Sequence, residues 1–392
     1  MYKLEKLDSG VCSAEGFYAD GVSAGLKPDG ANDLAFIYSE HLCEVATVFT
    51  TNKMAAAPIK HCKAKGNFQT NFILINSKNA NAMTGKAGIA DIEEILQTLP
   101  KTMTNPIMSS TGVIGVRLPK EKIKNGIKLF DFSKKAPHEA AKAIMTTDRF
   151  SKECAYKVTL EDGKSFVVGA MAKGAGMINP AMATMLCFIT TDIDMDASEI
   201  QTILDKVTQV TFNAASVDGD TSTNDTVIVL SNKKSGVAHK EAFEEALYKI
   251  MLFLAKEMVR DGEGATKLVT YHITGAKNEK EAQKVAKTLA NSLLVKTALF
   301  GEDPNWGRIA STVGASGVEA NEESLTICFE DVCVYKKGEL FFDKDMEEKA
   351  AQIMKKDSFT ISCDLGIGNG SFEAYGCDLG HPYVTINADY RT

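Results

Sequence analysis

"GAGMINPAMATMLCFITTD", residues 174–192, is the stretch on which the fold turns. Its second half reads as a strand, with Leu186 and Phe188 on one face and Met185, Cys187 and Ile189 on the other. Side chains alternate between the two faces of a strand, so apolar residues on both faces mean that both are buried and that the strand lies inside a layered core. Upstream stand Gly174 and Gly176, and between these glycines and the strand sits Thr184, a hydroxyl with no histidine, carboxylate or lysine within several residues.

Outward from this strand, the first 190 residues alternate short apolar runs ("DLAFIYS", "ATVFTT", "NFILINS", "SFVVGAMA") with Gly-rich or Asn/Ser-rich turns, and read as sheet with inserted helices. The middle third is helical. Asp196 and Glu199 have capping-box spacing ahead of "IQTILDKVTQV", and Phe243, Leu247, Ile250, Leu254 and Met258 recur at helical spacing until Gly262. "EKEAQKVAKTLANSLL" reads as a third helix. Strands are expected again at "TKLVTYHITG" and from "ESLTICFED" to the end, where "PYVTINADYRT" closes the chain. No repeat, low-complexity tract or Pro/Ser-rich linker separates domains, so the halves are expected to interleave.

At 392 residues and 44% hydrophobic, the chain has material for a large core and, at about 150 residues per domain, for two or three structural units. Its 44 Lys+Arg against 51 Asp+Glu leave a net charge of −7, without the basic blocks that track a phosphate backbone, so no nucleic-acid partner is expected. Nine cysteines, at 12, 43, 62, 154, 187, 328, 333, 363 and 377, are odd in number, scattered and free of C-x-x-C pairs. They predict neither a disulfide framework nor a zinc site, and fit reduced thiols in a cytoplasm. "MYKLEKLDSG" lacks the apolar core of a signal peptide, and "ALYKIMLFLA" is too short to span a bilayer and carries Lys249. A soluble, cytoplasmic protein with no membrane partner is the expectation.

Three motifs are set aside. "GVSAG", Gly21–Gly25, has the spacing of a nucleophile elbow, but "LKPDGAND" follows where a helix is required. "DGDTSTND" from Asp218 puts Thr223 and Val229 where a calcium loop needs glycine and glutamate, and reads as a hydrogen-bonded turn. "GIGNG", Gly366–Gly370, reads as a tight turn between strands. The six histidines form no ligand spacing, and no metal site is expected.

Thr184 needs a base, and one choice requires no neighbouring side chain. If the chain is cut before it, its own α-amino group accepts the proton. That amine has a pKa of about 7.7–8.0 against about 10.4 for lysine, so a useful fraction is neutral near pH 7. The same hydroxyl can make the cut by attacking the carbonyl of Ala183, turning the peptide into an ester that water hydrolyses. On local residues alone, an ordinary strand threonine remains the plainer reading.

The quoted stretch resembles the signature of the ornithine acetyltransferase family, also called the bifunctional arginine biosynthesis or glutamate N-acetyltransferase family, whose members split before the threonine of a P-N-M-A-T-M-L segment. "AEGFYADGVSAGLKPDGANDLAFI", "ATVFTTNKMAAAPIKHC", "INSKNANAMTGKAG", "MSSTGVIGVRLP", "IMTTD", "SVDGDTSTNDT", "DGEGATKLV", "ALFGEDPNWGRI" and "VTINADYRT" resemble it in order along most of the chain. Departures are Ala181 for the asparagine before the cut, and Lys78 and Met83 where glycine and cysteine are usual.

The resemblance implies an α/β (α+β) fold, a layered αββα sandwich of the self-processing N-terminal-nucleophile type with a smaller accessory lobe. It implies cleavage between Ala183 and Thr184 into segments 1–183 and 184–392 that interleave in one core and assemble as an α2β2 heterotetramer. Thr184 would carry the acetyl group from N2-acetyl-L-ornithine to L-glutamate, with Thr111 and Gly112 stabilising the oxyanion. Thr147, Lys173, Thr184, Glu263, Asn387 and Thr392 match the family's substrate-binding positions, Lys173 being suited to a carboxylate and Glu263 to an ammonium. No cofactor or metal is implied, and acetyl-CoA stays open as a second acetyl donor. The alternative is a self-processing aminopeptidase or amidohydrolase of the related fold, which would pass the acyl group to water.

Overall fold

The structure is a computed structural model and describes residues 1–179 and 185–389. Strands β1 (Tyr2–Leu7), β2 (Phe17–Val22) and β3 (Leu34–Phe49) open the chain, followed by α1 (Ala57–Ala64), β4 (Thr70–Asn76), α2 (Gly85–Leu96) and β5 (Ile107–Ser110). Two short helices, α3 (Lys120–Ile127) and α4 (Pro137–Ala143), lead to the hairpin of β6 (Lys152–Leu160) and β7 (Ser165–Lys173). β8 (Leu186–Thr191), α5 (Ala197–Val210), β9 (Thr226–Ser231) and α6 (Lys240–Arg260) complete the body.

The long β3 is the joint of this body. Its first part pairs with β2 and β4, its last part, Glu44–Phe49, pairs with β9, and the register on β4 breaks between Tyr38 and Cys43. One continuous sheet, ordered β1-β6-β7-β8-β9-β3-β4-β5, therefore folds over on itself. The alternation of side chains shows the layers. Ile37, Ile73 and Ile75 from one half meet Leu186, Phe188, Ile228 and Leu230 from the other in a shared sheet-on-sheet core. Their neighbours point outward: Phe36, Phe72 and Leu74 against Ile92 and Ile95 of α2 and Ile123 of α3, and Cys187, Ile189, Val227 and Val229 against α5 and α6. The order helix, sheet, sheet, helix is the layered sandwich expected, and β8 lies in it with both faces buried.

The remainder forms a smaller lobe. β10 (Leu268–Ala276) leads to α7 (Glu279–Asn291), α8 (Leu293–Phe300) and α9 (Trp306–Ala315), then β11 (Thr326–Phe329), β12 (Val332–Lys336), β13 (Glu339–Leu340), α10 (Lys344–Met354), β14 (Ser358–Asp364) and β15 (Gly370–Cys377). Its sheet runs β13-β12-β11-β14-β10-β15, and its apolar core is continuous with that beneath α6. The capping box at Asp196 and the buried stripe of α6 are present as read from the sequence. "GIGNG" is the turn between β14 and β15.

Two expectations are corrected. The end of the described chain is helical over α11 (His381–Asp389), where Pro382 sits at the helix start and its missing N–H costs nothing. Cys328 and Cys333 form a disulfide: the tight β11–β12 hairpin sets them opposite each other in register, which five residues of sequence separation do not reveal. The other seven cysteines are free and buried. Among the described residues no helix is long and apolar enough to cross a membrane.

Candidate active site

Several chain segments end at the same edge of the stacked sheets. β5 stops at Ser110, just before Thr111 and Gly112, β7 stops at Lys173, and α6 stops at Arg260, just before Asp261, Gly262 and Glu263. The loop between α4 and β6 supplies Thr146 and Thr147, and α11 lies across the opening with Tyr383 and Asn387. A cavity of about 200 Å³ is lined by Thr111, Gly112, Thr147, Lys173, Glu263 and Asn387, which are all the sequence-predicted site residues within the described chain. Ala183, Thr184 and Thr392 lie outside the described residues, as does Ala181. The described chain leaves the cavity wall at Met177 to Asn179 and returns at Met185, which directly precedes β8. A larger cleft of about 840 Å³, lined by Glu44, Gln69, Asp196 and Gln201 among others, contains none of the predicted residues.

The Lys173 ammonium donates to Thr111 Oγ1 at 3.2 Å, with Lys173 only 3% and Thr111 2% exposed. A threonine oxygen that accepts from an ammonium directs its own proton elsewhere, so the Thr111 hydroxyl is left as a donor. Burial lowers the Lys173 pKa, while the nearby Asp148 carboxylate opposes the fall. Gly112 has φ of +130°, and a Cβ there would sit 2.2 Å from the Lys78 carbonyl carbon, so the backbone at this position passes closer to its neighbour than any side chain allows. Across the cavity, Asn387 Nδ2 donates to Glu263 Oε2 at 2.8 Å, and a Cβ on Gly176 would meet the same carboxylate at 2.5 Å. Cation and carboxylate thus line one small cavity.

The sequence reading missed the groups that hold these walls. Asn224 Nδ2 donates to the carbonyls of Ser110 (2.8 Å) and Ala80 (2.7 Å), tying the strand end before Thr111 to the start of β9. Asp218 accepts from the backbone N–H groups of Met177 (2.6 Å) and Ile178 (2.9 Å) and from the Tyr383 hydroxyl (3.3 Å); burial raises its pKa. Asp225 is fully buried, accepts from Met185 N at 3.0 Å through one oxygen, and has no partner for the other among the described residues. Burial pushes its pKa well above the usual carboxylate range. The signal for all three was the polar run "SVDGDTSTND", which carries more Asp and Asn than a turn needs. Lys78, standing where the resembling family has glycine, takes φ of 69°, and Met83 takes 58°, so both occupy backbone that favours glycine.

Among the described residues no group of three His, Cys, Asp or Glu could hold a metal ion. The arrangement can bind a small zwitterion and place two hydrogen-bond donors, the Thr111 hydroxyl and the Gly112 backbone, beside a reacting carbonyl.

The model of the ArgJ family matches residues 18–392. The arginine biosynthesis bifunctional protein ArgJ of Wolinella succinogenes is 59% identical over 396 residues, covering all of both chains. The glutamate N-acetyltransferase of Methanocaldococcus jannaschii is 45% identical over 412 residues, covering 99% of this chain and all of its own. A crystal structure of arginine biosynthesis bifunctional protein ArgJ from Bacillus halodurans shares 43% identity, covers 52% of this chain and 98% of its own, and gives a TM-score of 0.49. A family match over nearly the full length, together with relatives this similar over their entire chains, means that this chain belongs to the ArgJ family of arginine-biosynthesis enzymes.

Proposed function

We propose that the chain transfers the acetyl group of N2-acetyl-L-ornithine to L-glutamate through an acetyl-Thr184 intermediate, after cutting itself between Ala183 and Thr184. The observation that carries this reading is the convergence of Thr111, Gly112, Thr147, Lys173, Glu263 and Asn387 on one cavity, whose wall runs directly into the segment containing Thr184. In the first half-reaction the Thr184 hydroxyl, deprotonated by its own α-amino group, attacks the acetamide carbonyl. Negative charge on the carbonyl oxygen is met by the Thr111 hydroxyl and the Gly112 N–H, each donor contributing roughly 3 kcal/mol to the barrier reduction. The C–N bond breaks, the ornithine amine leaves with the proton taken from Thr184, and an ester remains. In the second half the glutamate amine attacks that ester, gives a proton to the Thr184 oxygen and departs as N-acetyl-glutamate. Lys173 suits the α-carboxylate common to both amino acids, and Glu263 suits the side-chain ammonium of ornithine.

The same reading covers what surrounds the reaction. The two segments would stay together after the cut, since β7 on one and β8 on the other are hydrogen-bonded neighbours, and two copies of each would form an α2β2 assembly. No metal or cofactor takes part, acetyl-CoA is a candidate second donor at the same threonine, and the cytoplasm is the expected compartment.

Intact mass under denaturing conditions, beside a Thr184→Ala control, tests the cut: two fragments meeting at Ala183/Thr184 in the wild type and one unbroken chain in the control are expected. Labelled acetyl-ornithine then distinguishes acceptors. Label appearing on glutamate supports the transferase; free acetate alone, with no N-acetyl-glutamate, would mean a hydrolase instead.

A further inference from the structure

Behind the cavity lies a row of charges that touches no part of the open space. Lys152 Nζ donates to Asp148 Oδ1 at 2.8 Å and to Asp261 Oδ2 at 2.6 Å, and all three side chains are 0% exposed. Arg149 closes the far end through its Nε to Asp261 Oδ1 at 3.0 Å. The row alternates in sign from Arg149 through Asp261, Lys152 and Asp148, and the next charge is Lys173, at the cavity.

Each carboxylate also grips backbone that carries a site residue. Asp148 Oδ1 accepts from Gly174 N at 2.7 Å, next to Lys173, and its Oδ2 accepts from Thr146 N at 3.0 Å, next to Thr147. Asp261 accepts from Arg149 N at 3.1 Å and stands two residues before Glu263, whose own N–H donates to Ala175 O at 2.8 Å. Asp148 is held by Lys152 and by two backbone donors, while Lys173, near enough for its charge to favour the ionised Asp148, bonds Thr111 and forms no ion pair with that carboxylate.

We infer that Lys152 is a positioning residue: by pairing with the buried Asp148 it keeps that carboxylate from capturing the Lys173 ammonium that the substrate carboxylate requires. This rests on the acetyl-transfer reading above. Removing Lys152 leaves a buried carboxylate without its ion-pair partner, and the nearest remaining cation is Lys173; a buried charge stripped of its partner recruits another or forces rearrangement.

The test compares Lys152→Met, Lys152→Arg and the double variant Lys152→Met/Asp148→Asn in steady-state acetyl transfer. In the double variant the Asn oxygen still accepts from Gly174, but position 148 no longer carries the charge that would draw Lys173 away, and Asp261 keeps Arg149 as its partner. Lys152→Met is expected to raise KM for acetyl-ornithine and for glutamate about tenfold or more with a smaller change in kcat, Lys152→Arg to stay within about threefold of wild type, and the double variant to return to about that range. A purely structural lysine would lower the melting temperature without this rescue. The inference is overturned if KM in Lys152→Met stays within about twofold of wild type, or if the double variant is no better than the single. Should Lys152→Met not fold, the double variant decides alone: near-wild-type KM supports the inference and a raised KM refutes it. Wild-type protein that transfers no acetyl group would bring down the functional reading and this inference together, whereas active wild type with an unmoved variant sinks the inference only.

Discussion

Strand β8 is buried at every one of its six residues, Leu186–Thr191, whereas β14 in the smaller lobe alternates buried with more exposed positions along Ser358–Asp364. The same contrast holds for charge. At the site end of the body Lys152 forms ion pairs with Asp148 and Asp261 in which every side chain is 0% exposed, whereas in the lobe the buried Lys296 meets the Cys377 carbonyl and the ion pairs, such as Lys356 with Glu330 and Lys277 with Glu319, are partly or largely exposed. Burying charge is unfavourable unless geometry compensates, so a protein concentrates it where position matters more than stability. The ion pairs of the lobe keep at least one partner in contact with water; the body edge gives up stability for a fixed arrangement of donors and charges.

The largest effect should fall on the doubly buried strand. Phe188→Ala removes a ring from the sheet-on-sheet core and is expected to cost about 3–5 kcal/mol in denaturant unfolding, against well under about 1 kcal/mol for Thr360→Ala on β14. Equal losses would erase the distinction between the layers.

Next comes the site itself. Thr111→Ala should lower kcat by about 10²- to 10³-fold while costing the fold no more than one buried hydrogen bond, because among the described residues its hydroxyl is bonded to Lys173 alone. Full activity in this variant would remove Thr111 from the oxyanion site.

A third prediction concerns the cost of buried charge. Asp225 has a folded-state pKa raised above the unfolded value of about 3.9, so the folded state binds its proton more tightly and stability falls as pH rises through that range. Asp225→Asn should therefore raise the melting temperature at pH 7–8, with the gain fading as the pH is brought towards about 4. A variant less stable than wild type at pH 8 would show that the ionised carboxylate is compensated after all.

The smallest effect belongs to the lobe surface. Lys356→Ala breaks a pair whose lysine is 51% exposed, and thermal unfolding should change by no more than about 1 kcal/mol. A larger loss would mean that the lobe, too, depends on its charges.

Much of this was legible in one dimension. The run from Met185 to Thr191 declares a strand with two buried faces, the stripe on α6 declares its buried side, and the order of motifs along the chain pointed to the family and to the residues now found around one cavity. Local rules were less reliable near the end of the chain, where residues 382–389, expected as strand, are helical, and in the β11–β12 hairpin, where register brings Cys328 onto Cys333.

What the amino-acid sequence determined by itself was therefore periodicity and chemistry: which faces are apolar, which residue types can bind or donate, and where a hydroxyl without a neighbouring base stands. Only the tertiary structure decided that β3 folds one sheet into two layers, that Lys152 joins Asp148 to Asp261, and that Asp225 sits buried beneath Met185. The reason is range: periodicity follows from successive residues on one backbone, whereas these contacts, the Lys152–Asp148 pair apart, join positions 27 to 187 residues apart, and burial and charge pairing exist only once those positions meet.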